Sequence, residues 1–229
     1  MDYAGRMVDA RFVARRKRFL CDVVTDDGEA LTAHIANTGA MTGCSEPDAP
    51  VRLRDSADPK RKLRFSVEQI CVAGEWIVVN TARANQVVEE ALTSGVLRGT
   101  FGMGPVRREV RHGESRIDFG VGEPLHTLVE VKSVTLRIGD QLAFPDAVTA
   151  RGRKHVDALG NLAAEGFGAA LLFLVPRHGG RRVGVARHVD PAYAESLALA
   201  VSKGLRVEAW RAVPRSDGID FGERLPLEL

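Results

Sequence analysis

Cysteine is scarce in this chain: three among 229 residues, Cys21, Cys44 and Cys71, far apart in sequence. An odd number at such spacing fits neither a disulfide framework nor a C-x-x-C metal knuckle. A reducing, cytoplasmic setting is expected. No apolar run reaches the roughly 18 residues that a membrane-spanning helix requires. The first ten residues carry charges instead of an apolar leader segment. No membrane partner is expected. Internal repeats and low-complexity segments are also lacking, so nothing points to a solenoid. Net charge is only +2, so bulk charge says nothing about nucleic acid and its distribution has to be read.

What is present suits one large or two small globular domains. Hydrophobic residues make up 45% and charged residues 27%, enough for a sizeable core. Residues 7 to about 80 alternate apolar and polar over short runs: Met7–Ala14, Arg18–Thr25, Leu31–Ile35, Val51–Arg54, Phe65–Ile70 and Trp76–Asn80. Asp26-Asp27-Gly28 is a hairpin turn signal. Five or six such strands without a helix predict a small OB-like β-barrel over residues 1–82.

Residues 1–80 hold twelve basic and twelve acidic residues, yet the basic ones cluster. Arg15, Arg16, Lys17 and Arg18 stand together before Phe19, and Lys60, Arg61 and Lys62 precede Leu63 and Arg64. Two such clusters on one small barrel predict a surface that follows nucleic-acid phosphates. Each cluster alone is also what a solvated turn looks like. The loop from Asn37 and Thr38 to Gly43 has the glycines and small polar residues whose backbone N–H groups could meet an anion.

From residue 83 onward the pattern changes to an α/β domain with a mixed sheet, and the chain as a whole is α+β. Asn85–Ser94 has helical spacing, and Gly95 stops it. The segment G-T-F-G-M-G-P reads as a loop and opens no helix, so a nucleotide-binding reading is rejected. Val106–Arg111 is extended and carries Glu109. A helix over Val148–Glu165 is predicted, with Val148, Val156, Leu159, Leu162 and Ala163 on its core face and Asp146 as its cap. Arg151 and His155, four apart, share its flank and are candidate phosphate contacts. Ala169–Val175 is the continuous apolar run of a strand covered on both faces. A second amphipathic helix follows Asp190 and ends at Gly204, with a strand over Leu205–Ala209. Leu225–Leu229 is expected to pair back.

The chemistry concentrates in S-R-I-D-F-G-V-G-E-P-L-H-T-L-V-E-V-K. Both ends alternate with period 2, and Gly and Pro between them supply a reversal. Centred on Pro124, the hairpin sets Asp118 across from Glu130 and Arg116 across from Lys132. Two carboxylates are costly to bury without a cation. Asp118 and Glu130 are hard oxygen donors suited to magnesium or manganese. Lys132 could position a water or stabilise charge on phosphorus, with Glu109 as a further acid. Asp, eleven residues, then Glu-x-Lys is the spacing of the PD-(D/E)XK nuclease fold. A solvated hairpin face with a cross-strand ion pair has the same spacing, so the motif alone leaves both readings open.

Longer segments carry a resemblance. R-R-K-R-F-L-C-D-V, H-I-A-N-T-G-A-M-T-G, P-K-R-K-L-R-F, V-N-T-A-R-A-N-Q-V-V-E-E-A-L, S-R-I-D-F, V-E-V-K-S-V-T-L and F-P-D-A-V-T-A-R-G-R-K-H resemble the sugar fermentation stimulation protein family along nearly the whole chain. The resemblance implies an N-terminal OB-like barrel, a C-terminal domain of PD-(D/E)XK nuclease fold, DNA binding and a regulatory role in sugar (maltose) metabolism. It sets Asp118, Glu130 and Lys132 at the nuclease-motif positions and Glu109 as the preceding acid. Arg16, Ala40 and Ala84 depart from the family pattern, which usually has an aromatic, Ser and Pro there.

Overall fold

The computed structural model describes residues 1–113 and 115–229. Alternating apolar positions close the first part of the chain around its own core. Strands β1 (Met7–Arg16), β2 (Leu20–Thr25), β3 (Ala30–Ile35), β4 (Pro50–Asp55), β5 (Phe65–Val72) and β6 (Glu75–Val78) lie in the order β3-β2-β1-β4-β5-β6. A parallel pairing of β3 with β5, His34 to Ser66 and Ile35 to Val67, closes five of them into the expected OB barrel. Phe12, Val23, Ile35, Leu53, Val67 and Ile70 fill it. Between β1 and β2 the chain reverses tightly, with Lys17 and Arg18 at φ of 50° and 63°.

The second part is a mixed-sheet α/β unit. Helix α1 (Ala82–Thr93) is followed by α2 (Arg98–Phe101), a single turn where the sequence predicted only loop. Phe101 is buried and anchors that turn. Strands β7 (Val106–His112), β8 (Ser115–Val121), β9 (Thr127–Ser133), β10 (Leu136–Ile138) and β11 (Gln141–Phe144) precede α3 (Ala150–Ala164). Then come β12 (Gly168–Val175), β13 (Arg182–Val185), α4 (Pro191–Ser202), β14 (Arg206–Pro214), β15 (Ile219–Arg224) and β16 (Leu227–Glu228). The main sheet runs β15-β14-β12-β9-β8-β7, parallel across β9, β12 and β14 and antiparallel at both flanks.

β12 sits at its centre. Leu171, Phe173 and Val175 face the core under α3 and α4, whereas Ala170, Leu172 and Leu174 face the core under α1. Burial on both faces is why that segment carries no polar residue. A smaller sheet, β10-β11-β13-β16, includes the predicted return of the C-terminal residues. β14 contains most of the strand expected over Leu205–Ala209 and runs on to Pro214, whereas β15, which pairs back on it, lies in a tail whose weak patterning did not announce it.

Two predicted details of α3 are corrected. Asp146 does not cap it: Thr149 is the cap, its hydroxyl accepting from the Gly152 N–H at 3.0 Å. Val148 precedes the helix and is exposed, because the chain turns only after Thr149. α4 begins after Asp190 as expected, and Asp190 caps it, accepting from the Tyr193 N–H at 3.0 Å; its other oxygen accepts from the Thr149 N–H at 2.8 Å.

Buried ion pairs lock the barrel to the α/β unit. Glu68 on β5 accepts from Arg54 on β4 at 2.9 Å, from Asn80 at 2.9 Å and from Arg83 on α1 at 2.5 and 2.9 Å. Glu75 on β6 accepts from Arg177 at 2.5 Å, and Arg177 also donates to the Thr135 carbonyl at 2.8 Å. No helix among the described residues is long and apolar enough to cross a membrane.

Candidate active site

The turn between β8 and β9 sets the geometry of the acidic pair. At Gly122 (φ 106°) a Cβ would lie 2.1 Å from the His126 ring, so only glycine fits there. Phe119 pairs with Val129, Gly120 with Leu128 and Val121 with Thr127, the register of a hairpin centred on Pro124. One step further, Asp118 meets Glu130, as the sequence spacing predicts. The ladder then opens. The Val131 N–H donates to Asp118 Oδ2 at 2.8 Å, and the Asp118 N–H donates to Glu130 Oε2 at 3.4 Å. Carboxylates therefore take the place of cross-strand carbonyls, and the predicted Arg116–Lys132 pairing does not form. Arg116 lies instead opposite Arg111 on β7 and forms an ion pair with Glu109 at 3.3 Å.

Both acids are held by neighbours. Asp118 Oδ1 accepts from the Asn85 side chain on α1 at 2.8 Å. Glu130 is only 2% exposed, and its Oε1 meets both Lys132 Nζ and His155 Nδ1. Because the carboxylate accepts, His155 Nδ1 carries the proton in that contact. Burial, and then the charge of Glu130, push the Asp118 carboxyl above its ordinary value. Burial acts on Glu130 in the same sense, but the hydrogen bond from His155 and the charge of Lys132 outweigh it and hold Glu130 below its ordinary value. Two adjacent acids thus differ in proton affinity because their partners differ.

A polar cleft of about 520 Å³ opens over this pair. Arg18, Asn37, Thr38 and Gly39 line it from the barrel; Asn85, Asp118, Glu130, Lys132, Asp146, Arg151 and His155 line it from the α/β unit. The sequence reading missed Asn85 and Asp146 as lining residues. Asn85 was readable only as one polar position of α1. Asp146 comes into place through the barrel, since its Oδ2 accepts from the Met41 N–H at 3.1 Å and a Cβ on Gly39 would lie 2.6 Å from it. No local signal in the sequence carries that contact.

Other predicted site residues lie outside the cleft or are held by neighbours at its edge. Glu109 is an exposed residue of β7 with φ of 54°; the unbroken register sets it level with Asp118, yet its carboxylate pairs with Arg116 and does not line the cleft. Arg15 braces the barrel loop, donating to the carbonyls of Asn37 at 2.6 Å and Gly39 at 3.0 Å. Arg16 is committed to Asp22 at 2.5 and 2.7 Å. The Asn37 side chain bridges the Val79 carbonyl and the Gly39 N–H. Lys17, Arg61 and Lys62 line a separate groove on the barrel, and Lys60 is exposed beside them in the β4–β5 loop.

The donor set fits a hard divalent cation. Asp118 and Glu130 offer oxygens only, and among the described residues Glu130 Oε2 receives nothing closer than the 3.4 Å backbone contact. A cation between them would also offset the burial and the Glu130 charge that raise Asp118. Among the described residues no group of three or more His, Cys, Asp or Glu is arranged to hold a metal. Protein ligation would thus come from two carboxylates, as magnesium commonly accepts.

Asp146→Ala removes a charged acceptor from the Met41 N–H. Such bonds contribute about 1.5–3 kcal/mol, so hydrogen exchange at the Met41 amide is expected to rise at least about tenfold. An unchanged exchange rate would show that the loop is held by Arg15 alone.

Residues 82–218 match the profile of the "Sugar fermentation stimulation protein RE domain", and residues 13–79 match that of the "SfsA N-terminal OB domain". The chain belongs to the sugar fermentation stimulation protein family. It is 41% identical over 232 residues to a family homolog of Pseudoalteromonas atlantica, with 99% of each chain covered. A homolog of Magnetococcus marinus is 44% identical over 209 residues, covering 90% of each. The fold matches the structure described as Pyrococcus furiosus SfsA in complex with Ca2+, with TM-score 0.90 and 25% identity over 100% of this chain and 98% of that one. The family's two-part architecture is thus the one described above, an OB barrel followed by an α/β unit.

Proposed function

We propose that this family member binds DNA with little sequence preference and hydrolyses its phosphodiester bonds in the cleft between barrel and α/β unit. The observation that carries this reading is the convergence of Asp118, Glu130 and Lys132 in a cleft rimmed by Arg18 and Arg151. A magnesium or manganese ion held by Asp118 and Glu130 would supply Lewis-acid stabilisation of the phosphoryl group. The Pyrococcus furiosus relative solved with Ca2+ supports a hard cation at this fold. The chain's own groups divide the remaining work. Asn85 orients Asp118, and His155 fixes the Glu130 carboxylate by taking Oε1. Lys132 Nζ, partly exposed to the cleft, orients the attacking water or meets charge developing on phosphorus. Arg18 and Arg151 neutralise flanking phosphates.

A second reading is DNA binding without cleavage, in a role that regulates sugar (maltose) metabolism. It is favoured by one observation: Lys132 is already ion-paired with Glu130. One assay separates the two. Plasmid and single-stranded DNA are incubated with magnesium or manganese, alongside chelator and the Lys132→Ala variant. The hydrolytic reading expects metal-dependent cutting that Lys132→Ala lowers at least ~100-fold. Binding that falls steeply with salt, with no cutting, would leave the second reading. Cutting that survives both chelator and the variant would overturn the assignment of this cleft.

A further inference from the structure

A second concavity lies on the barrel, beside the cleft and outside the site described above. It encloses about 730 Å³ and is lined by Lys17, Phe19, Leu20, Thr32, His34, Arg61, Lys62 and Leu63. The two basic clusters, forty residues apart in sequence, meet here. The parallel closure of β3 on β5 brings the β4–β5 loop over the β2–β3 face, opposite the β1–β2 turn.

Three features of the groove point to one kind of occupant. Phe19 is 48% exposed, an unusual state for an aromatic in a chain with few of them. Neither Lys17 nor Lys62 has an ion-pair partner among the described residues, whereas Arg16 and Arg64 nearby are satisfied by Asp22 and Asp55. No acidic residue lines the groove. An apolar floor of Phe19, Leu20 and Leu63 with unneutralised cations at the rim complements a base ring and its phosphates. A duplex buries its base faces by stacking and cannot offer them to Phe19; a single strand can. The face of the second and third strands, with the loops joining strands one to two and four to five, is also where OB barrels meet oligonucleotides.

We infer that this groove is a single-stranded DNA subsite, with a base stacked on Phe19 and flanking phosphates on Lys17 and Lys62. It rests on the DNA-binding reading above and adds the strandedness of the substrate. The strand has a path to the acidic pair: Lys17 and Phe19 line the groove, while Arg18, between them, lines the cleft. Positive φ at Lys17 and Arg18 is what turns these adjacent side chains to different concavities. A single strand crossing the β1–β2 turn would thus pass from the stacking subsite into the acidic cleft.

The test is fluorescence anisotropy with a labelled twelve-nucleotide oligo-dT and a duplex of equal length, in chelator so that no cleavage intervenes. Phe19→Ala is expected to weaken oligo-dT binding about tenfold or more, the scale of losing one stacked base, and to leave duplex binding within about twofold. Phe19→Trp is expected to retain oligo-dT affinity and to show indole quenching on binding. Phe19 is exposed, so neither variant threatens the fold, and unchanged thermal melting checks this. Equal losses for both DNAs, unchanged oligo-dT affinity in Phe19→Ala, or binding of duplex alone by the wild type would each overturn the subsite. None of these outcomes touches the acidic cleft, because metal-dependent cutting and its loss in Lys132→Ala are read separately.

Discussion

Asp118→Asn is expected to leave thermal stability unchanged or raised while metal-dependent cleavage falls at least ~100-fold. The two effects share one cause. Asp118 is crowded by Glu130 and largely desolvated, and both push its carboxyl above the ordinary value. A carboxyl with a raised folded value binds its proton more tightly folded than unfolded. Its contribution favours folding below the unfolded value of 3.8 and is lost as pH climbs through the higher folded one. At neutral pH the ionised group is therefore a net cost to the fold. Asparagine is isosteric and neutral. Its oxygen can keep the Val131 N–H bond, and the Asn85 amide can flip to accept from the new side-chain N–H.

Glu130 has the opposite sign, since its value is depressed by His155 and Lys132. Its stabilisation is present above the ordinary 4.5 and is lost as pH falls through the lower folded value. The stability gain of Asp118→Asn over wild type should accordingly grow as pH rises from about 4 toward 7. Thermal melts across that range, paired with cleavage assays at neutral pH, test both halves. A variant that melts several degrees lower yet still cleaves would refute the picture of a strained acidic pair used for metal.

Glu68→Ala is expected to destabilise the protein by about 3–5 kcal/mol, the usual result of removing one partner of a buried ion pair. Glu68 is fully buried, and its two oxygens satisfy Arg54, Arg83 and Asn80. Removing it leaves two guanidinium groups with little exposure and no acid: the Arg54 side chain is 19% exposed and that of Arg83 13%. Arg83 opens α1, the helix that positions Asn85 against Asp118. The loss should therefore spread beyond the barrel. Urea titration of wild type, Glu68→Ala and Arg83→Met separates the penalty of a stranded charge from the net worth of the pair. Arg83→Met, which leaves Arg54 on Glu68, should cost less than Glu68→Ala. A loss below about 1 kcal/mol for Glu68→Ala would mean that the guanidinium groups find water or other partners.

Much of the architecture was legible because it rests on periodicity. Alternation announced the barrel strands and the β8–β9 hairpin, and a seven-residue apolar run announced the central strand β12. The turn residues of G-E-P-L-H fixed the hairpin register, and register alone brought Asp118 to Glu130. Weakly patterned segments were not legible. β15 and the short strands β10, β11 and β13 are held by sheet neighbours and carry little amphipathic signal of their own.

Chemistry confined to one hairpin was thus written in the sequence by itself: two acids and a lysine at a spacing that strand geometry converts into proximity. Tertiary structure alone decided which other residues join them. It brought Asn85, Asp146, Arg151 and His155 to the cleft from separate elements and left Glu109 outside it, paired with Arg116. It also diverted Arg15 and Arg16 to carbonyls and to Asp22, while leaving Lys17 and Phe19 facing solvent. The reason is that local sequence sets backbone direction. Whether a charged side chain meets a partner or water depends on segments folded against it from far along the chain.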